Sequence, residues 1–379
     1  MSEYARYLDD SQQSFARPRT VAQWLHLDLM LLLPLSLIMG LGLLVLYSAS
    51  DGDWDTVSRQ LRNLIVGWGA LLVVAQIRID TIQRWSPVLY LFAVGLLLVV
   101  LGFGVGAKGA QRWLSLGVIR FQPSVLMKIA MPLAVAFWVV RSGLPPRLSV
   151  TVTALLIIAG PAAVIALQPD LGTALLVAAS GAFVIFMAGI SWWQIVAGIL
   201  AALAAIWPAW LFVLRDYQKQ RILTLFDPEA DKLGAGWNII QSKTAIGSGG
   251  WSGKGWMQGT QSHLDFLPES QTDFIIAVLA EEWGFRGVLC LLVLYGLVVA
   301  RGFWISLTAQ STYGRLLASA ITLTFCVYIV VNIGMVAGLL PVVGVPLPFV
   351  SFGGTAIVTL MLGFGILTAI STEKRIISQ

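Results

Sequence analysis

Asp273, Glu281, Glu282 and Arg286 fall inside one stretch, SHLDFLPESQTDFIIAVLAEEWGFRG (Ser262–Gly287), where a polar segment runs into an apolar helix. In a hydrophobic setting each such group must be paired, hydrated or used. Glu282 and Arg286 stand four apart and read as an ion pair within one helix. Asp273 is expected at the helix start beside Ser270 and Thr272, where a carboxylate also serves as an ordinary cap. Glu281 follows two turns later, displaced about 80° around the axis, so it and Asp273 can border one cavity. A second group is cationic: Lys108, Arg112 and Arg120 in KGAQRWLSLGVIRFQPS (Lys108–Ser124), with Lys128 one turn into the helix that follows. Asp170, Lys243 and Lys254 are expected at the same membrane level. Lysine and arginine clamp phosphate or pyrophosphate, and a carboxylate can take a proton from a hydroxyl nucleophile. The collection suits group transfer from a lipid pyrophosphate. The competing reading is that interfacial Lys and Arg simply snorkel to headgroups. Lys128, inside a span, fits that reading least.

These residues need membrane helices to position them. The 379 residues are 58% hydrophobic and 11% charged, with mean hydropathy +0.83, which defines an integral membrane protein and excludes an ordinary soluble domain. At about 20 apolar residues per crossing, ten spans are expected. They are Leu27–Tyr47, Leu61–Ile77, Val88–Val105, Val125–Val140, Leu148–Leu167, Leu171–Ile190, Trp193–Leu214, Asp273–Ala300, Leu316–Leu340 and Val350–Ile370. The fold class is thus all-α, with one polytopic membrane domain over 27–371 between an N-terminal segment, 1–26, and a tail, 372–379. Arg78, Arg84, Arg141, Arg147, Arg301 and Arg315 fall on the face that carries the termini, which the positive-inside rule makes cytoplasmic. The long loop 215–272 then lies outside. Within it Tyr217–Phe226 and Trp237–Ile246 read as short amphipathic helices, and GSGGWSGKG (Gly247–Gly255) as a flexible connection. That last stretch is no P-loop, because Gly255 follows Lys254 where Ser or Thr is required. GLLPVVGVPLPFVSFGG (Gly338–Gly354) reads as a broken or re-entrant segment, and QPDLGT (Gln168–Thr173) as a tight turn.

Other classes of chemistry lack raw material. His26 and His263 are the only histidines, and Cys290 and Cys326 lie alone in apolar stretches, where they read as buried packing residues. The net charge of +5 is scattered over loops without a basic run, so no nucleic-acid partner is expected. The N-terminal residues do not resemble a cleavable signal, and the first apolar run reads as a retained helix. No internal repeat supports an inverted-repeat transporter.

Ordered motifs along nearly the whole chain make it resemble the SEDS family (shape, elongation, division and sporulation). They are LYSAS (Leu46–Ser50), AQRWLSLGVIRFQPS (Ala110–Ser124), QPDLGTA (Gln168–Ala174), GWNIIQSKTAIGSGG, GKGWMQGTQSHLDFLPESQTDFIIAVLAEEWG and LPVVGVPLPFVSFGG. The version GTQSHLDFLPE resembles the elongation branch. The resemblance implies a ten-helix polymerase of the bacterial cytoplasmic (inner) membrane that joins lipid II disaccharides by β-1,4 links at the outer face. It implies release of undecaprenyl pyrophosphate, a class B penicillin-binding protein (a transpeptidase) as partner, and other membrane proteins of the elongation complex. The family's essential acid, in its TDF motif, falls on Asp273. An α-linked donor and a β-linked product require one inverting displacement, for which a single base suffices. Arg112, Arg120 and Lys128 are the candidates to stabilise the departing pyrophosphate, and Lys108, Gln122, Asp170, Lys243 and Glu281 complete the expected substrate-binding set. The sequence singles out no cofactor; a divalent cation is a further way to neutralise the pyrophosphate, and no dedicated ligand cluster for it stands in the sequence. One departure is Val125, where the family's QPSE carries an acid, which removes a neighbour of Lys128.

Two other functions use the same parts. A flippase for the lipid-linked precursor needs polar groups along the whole transit path, whereas a polymerase gathers them at the outer face. A scaffold for the transpeptidase needs neither.

Overall fold

The computed structural model describes residues 27–107, 110–115, 120–231, 234–263 and 269–373. The apolar runs become long helices: α1 (Leu29–Ala49), α2 (Trp54–Ala75), α3 (Ile79–Phe103), α4 (Pro123–Arg141), α5 (Leu148–Leu167), α6 (Leu171–Met187) and α7 (Trp192–Pro208). Two shorter helices, α8 (Asp216–Phe226) and α9 (Ala235–Gly249), and one turn, α10 (Thr260–His263), belong to the long loop. The bundle closes with α11 (Ile275–Thr308), α12 (Thr312–Val336) and α13 (Gly354–Ser371). Among the described residues eight helices are long and apolar enough to cross a membrane. The other two expected spans are α6, apolar but 17 residues long, and α2, which is 22 residues long and carries Asp55, Arg59 and Arg62 near its start.

The polar start of α2 has a use inside the fold. Gln60 is buried there, and its amide donates to the Ser351 carbonyl at 3.0 Å and accepts from the Gly353 N–H at 3.3 Å. The helix therefore begins at Trp54, a turn and more ahead of its apolar run, and pins the irregular segment before α13. That segment, 337–353, is non-helical as the prolines and glycines imply. It rests on aromatic packing below: Phe325 meets Phe364 edge-on at 5.0 Å, and the Tyr295 hydroxyl donates to the Pro348 carbonyl at 2.6 Å.

Two expectations about loops are corrected. Part of the cationic loop pairs as strands β1 (Val105–Ala107), β2 (Ala110–Ser115) and β3 (Arg120–Phe121), antiparallel in that order. The glycine-rich stretch 247–255 is not a free connector. α11 breaks at Gly284 (φ 65°, ψ −163°), which interrupts its hydrogen-bond ladder, and the stretch lies in the gap. Lys254 and Gly255 donate backbone N–H to the carbonyls of Glu281 and Glu282 at 3.0 and 2.9 Å, and Phe285 and Arg286 donate to Gly250 and Trp251 at 2.9 and 3.3 Å. Backbone groups orphaned by the break thus find partners within the protein, as an apolar surround demands. A Cβ on Gly253 would stand 2.1 Å from the Glu282 carbonyl oxygen, so the approach depends on glycine.

Candidate active site

Asp273 is not in the first turn of α11. It sits in a turn, Glu269–Phe274, ahead of the span, closed by N–H groups of Thr272 and Phe274 donating to the Glu269 carbonyl at 3.1 and 3.3 Å. The N-cap of α11 is Phe274, with no side-chain capping bond. Among the described residues the Asp273 carboxylate accepts no hydrogen bond, so the capping role is not the one it plays. It faces a cavity of about 490 Å³, bordered by Arg221, Asn238, Glu269, Thr272 and Gly344. Gly344 has φ +74°, and a Cβ on it would reach to 3.5 Å from Asp273 Oδ2. Burial and the neighbouring Glu269 charge push the Asp273 carboxyl up to about 6, against the opposing pull of Arg221. A carboxylate raised to that range is ionised at neutral pH yet basic enough to accept a proton.

Arg221, Gly344 and Pro346 also border a second cavity of about 430 Å³, lined in addition by Gln122, Lys128, Asp170 and Tyr217. The Lys128 ammonium lies 5.2 Å from the centre of the Tyr328 ring. Asp170 caps α6 by accepting from the Thr173 N–H at 3.3 Å, and takes the Gln122 amide at 3.3 Å. Val125 and Lys128 lead from this cavity into an apolar crevice between α4, α12 and α13, walled by Ile129, Pro132, Phe325 and Tyr328. Val125, which replaces the family's acid, supplies apolar wall at the mouth of that crevice.

The structure thus brings Asp273, Lys128, Gln122 and Asp170 around two cavities that share Arg221. It places other expected residues elsewhere. The Glu281 carboxylate is wholly enclosed: it accepts from the Lys254 ammonium at 2.6 Å, from the N–H groups of Thr260 and Gln261 at 2.8 and 3.0 Å, and from the Thr260 hydroxyl at 3.1 Å. It does not line the Asp273 cavity, because the loop docked at the α11 break claims it first. Lys243 lies instead against Gly338, just past the C-terminus of α12, where a cation meets the negative end of the helix dipole. Glu282 accepts a hydrogen bond from the Ser48 hydroxyl on α1, and the break at Gly284 falls between it and Arg286. Cys290 is exposed on α11, contrary to its reading as a buried packing residue, and Cys326 is half-buried. Lys108 lies outside the described residues; Arg112 and Arg120 contribute backbone to β2 and β3, and their side chains lie outside the description.

Arg221, Glu269 and Asn238 were not singled out from the sequence. Arg221 belongs to a helix whose alternation of cationic and apolar residues fits a membrane surface equally well. Among the described residues no group of three or more His, Cys, Asp or Glu forms a metal-ligand cluster.

Together these features define a polytopic helical membrane protein with a basic carboxylate beside a cationic pocket at the head of an apolar crevice. The chain belongs to the family of cell cycle proteins that groups FtsW, RodA and SpoVE, whose model matches residues 23–376. Peptidoglycan glycosyltransferase MrdB of Escherichia coli K12 is 51% identical over 354 residues, covering 93% of this chain and 96% of that protein. Stage V sporulation protein E of Bacillus subtilis 168 is 34% identical over 367 residues, covering 92% and 98%. Among solved structures, a chain of a peptidoglycan synthase complex that coordinates polymerization and crosslinking matches with TM-score 0.79 at 31% identity, covering 91% of this chain and 97% of that one. The rod shape determining protein RodA of Thermus thermophilus matches with TM-score 0.69 at 28% identity, covering 91% and 96%.

Proposed function

We propose that this chain is a peptidoglycan glycosyltransferase of the cell-elongation machinery, polymerising lipid II at the outer face of the bacterial inner membrane with Asp273 as general base. The observation that carries this reading is the Asp273 carboxylate, unbonded among the described residues, in a cavity joined through Arg221 to the pocket of Lys128. The donor's polyprenyl chain lies in the apolar crevice, with its pyrophosphate between Lys128 and Arg221. The acceptor sugar occupies the Asp273 cavity. Its 4-hydroxyl oxygen attacks C1 of the donor, the C1–O bond to phosphate breaks on the opposite side, and the hydroxyl proton passes to Asp273. Undecaprenyl pyrophosphate leaves with the bonding pair, its charge met by the two cations, and the proton on Asp273 is returned to water.

The similar chain from a synthase complex that coordinates polymerization and crosslinking supports a transpeptidase partner, here a class B penicillin-binding protein. A flippase needs polar groups along its whole path, and the two acids inside α11 have structural partners instead: Glu281 holds the loop, and Glu282 takes Ser48. The test is polymerisation of lipid II by the purified full-length protein with its partner. Asp273→Ala is expected to lower the rate by about 10³-fold, within the range for a lost general base, with its melting temperature kept. Glycan chains made at the wild-type rate by that variant would end the assignment.

A further inference from the structure

We infer that Asn332 is a positioning residue for the base, holding the Asp273 turn against the Gly344–Pro346 wall that faces it across the cavity. The inference rests on the reading of Asp273 as the base. Asn332 stands in α12 and is completely buried in an apolar bundle. Its Nδ2 donates to the Asp273 carbonyl at 2.9 Å and to the Val345 carbonyl at 2.7 Å. Those two carbonyls belong to the two backbone segments that wall the cavity, one carrying Thr272 and Asp273, the other Gly344 and Pro346. An amide offers two N–H donors from one nitrogen without a charge. The reversed amide would set Oδ1 against both carbonyls, so the bonding pattern fixes its orientation.

The geometry is specialised in two respects. Buried amides ordinarily have both ends partnered, yet the Asn332 Oδ1 is buried and accepts no hydrogen bond among the described residues. Filling the space needs only an apolar side chain such as leucine; the amide adds two bonds, and both end at the cavity walls. Those bonds also complete a series. The carbonyls of Gln271, Thr272 and Asp273 accept in turn from the Phe352 N–H at 2.9 Å, the Ser351 hydroxyl at 2.5 Å and Asn332. Ser351 in turn accepts from the Leu347 N–H at 2.8 Å. The turn that carries the carboxylate is tethered at three successive residues, and Asn332 holds the last of them. With that tether cut the carboxylate shifts and gains water, which changes both its aim at the acceptor hydroxyl and its proton affinity.

The experiment measures kcat, KM and the pH profile of lipid II polymerisation for full-length wild type, Asn332→Leu and Asp273→Ala, each with the transpeptidase partner. For Asn332→Leu, folded by its melting curve, kcat is expected to fall on the order of 10²-fold, the effect of about 1 Å of misplacement. KM for lipid II stays within about threefold. The acid limb of the kcat profile moves below its wild-type position, because a more hydrated carboxyl is a weaker base. Should the leucine variant not fold, Asn332→Thr keeps one donor of two, and a fall of roughly tenfold with the same shift of the limb is expected. A folded variant with wild-type kcat, a raised KM with kcat kept, or a lower kcat with the limb unmoved overturns the inference. Polymerisation by Asp273→Ala at the wild-type rate would instead overturn the reading of the base, whatever Asn332 does.

Discussion

Asp273 draws its chemistry from burial and two charged neighbours acting in opposite senses. Burial and Glu269 disfavour its charged form, and Arg221 favours it, which leaves the carboxyl raised to about 6. The form that accepts a proton is the ionised one, so activity is full above that value and lost as pH falls through it. Below about 6 the polymerisation rate is expected to drop tenfold per pH unit, as for any single essential base. The neighbours make the assignment testable. Glu269→Gln removes a raising influence and moves the acid limb to lower pH; Arg221→Gln removes a lowering one and moves it up. A limb that ignores both substitutions would show that the titrating group lies elsewhere. At this scale Asp273 stood out in the sequence as an acid at the mouth of an apolar span, and the resemblance, not composition, made it the candidate base. Arg221 did not, because its reach to Asp273 depends on how α8 folds back over the cavities.

The helices were largely legible as apolar runs, while their interruptions were legible only where composition marks them. Three prolines announce the break at 337–353. The charges and glycines of Glu281–Gly287 mark a polar spot in α11 but not a break, because what fills the break at Gly284 is the loop around Gly253, 31 positions earlier, which composition labels flexible. The same docking conceals the role of Glu281, whose partners Lys254, Thr260 and Gln261 meet it only when the loop enters the gap. The start of α2 was misjudged for a related reason: Gln60 is polar for the sake of Ser351 and Gly353, which are remote in the chain. The docking can be tested with two glycines. Gly253 has φ +78° and no space for a Cβ beside the Glu282 carbonyl, so Gly253→Ala is expected to destabilise by at least about 2 kcal/mol. Gly247, in α9 with open space around it, is expected to accept alanine with a change from zero to about 1 kcal/mol of stabilisation. Thermal melts of the two variants check the contrast, and equal melting temperatures would mean that the loop does not occupy the break.

For the whole molecule, the side of the membrane on which Asp273 lies depends on how many helices cross before it, and α2 decides that number. The 22 residues of α2 extend about 33 Å, enough for a bilayer core of about 30 Å, although Arg59 and Arg62 occupy its outer half. If it crosses, ten spans put both termini in the cytoplasm and the long loop outside, where lipid II presents its sugars. If it lies on the surface, every later segment reverses and Asp273 faces the cytoplasm, where a polymerase of exported precursor cannot work. Cysteine labelling distinguishes these arrangements once Cys290 and Cys326 are replaced by alanine, since Cys290 is itself exposed. In spheroplasts, a membrane-impermeant maleimide is expected to label Asp55→Cys and Gln258→Cys directly. Gln76→Cys and Gln310→Cys should react only after permeabilisation. Like reactivity at positions 55 and 76 would show that α2 does not cross, and a protected position 258 would place the candidate site on the wrong side for polymerising lipid II.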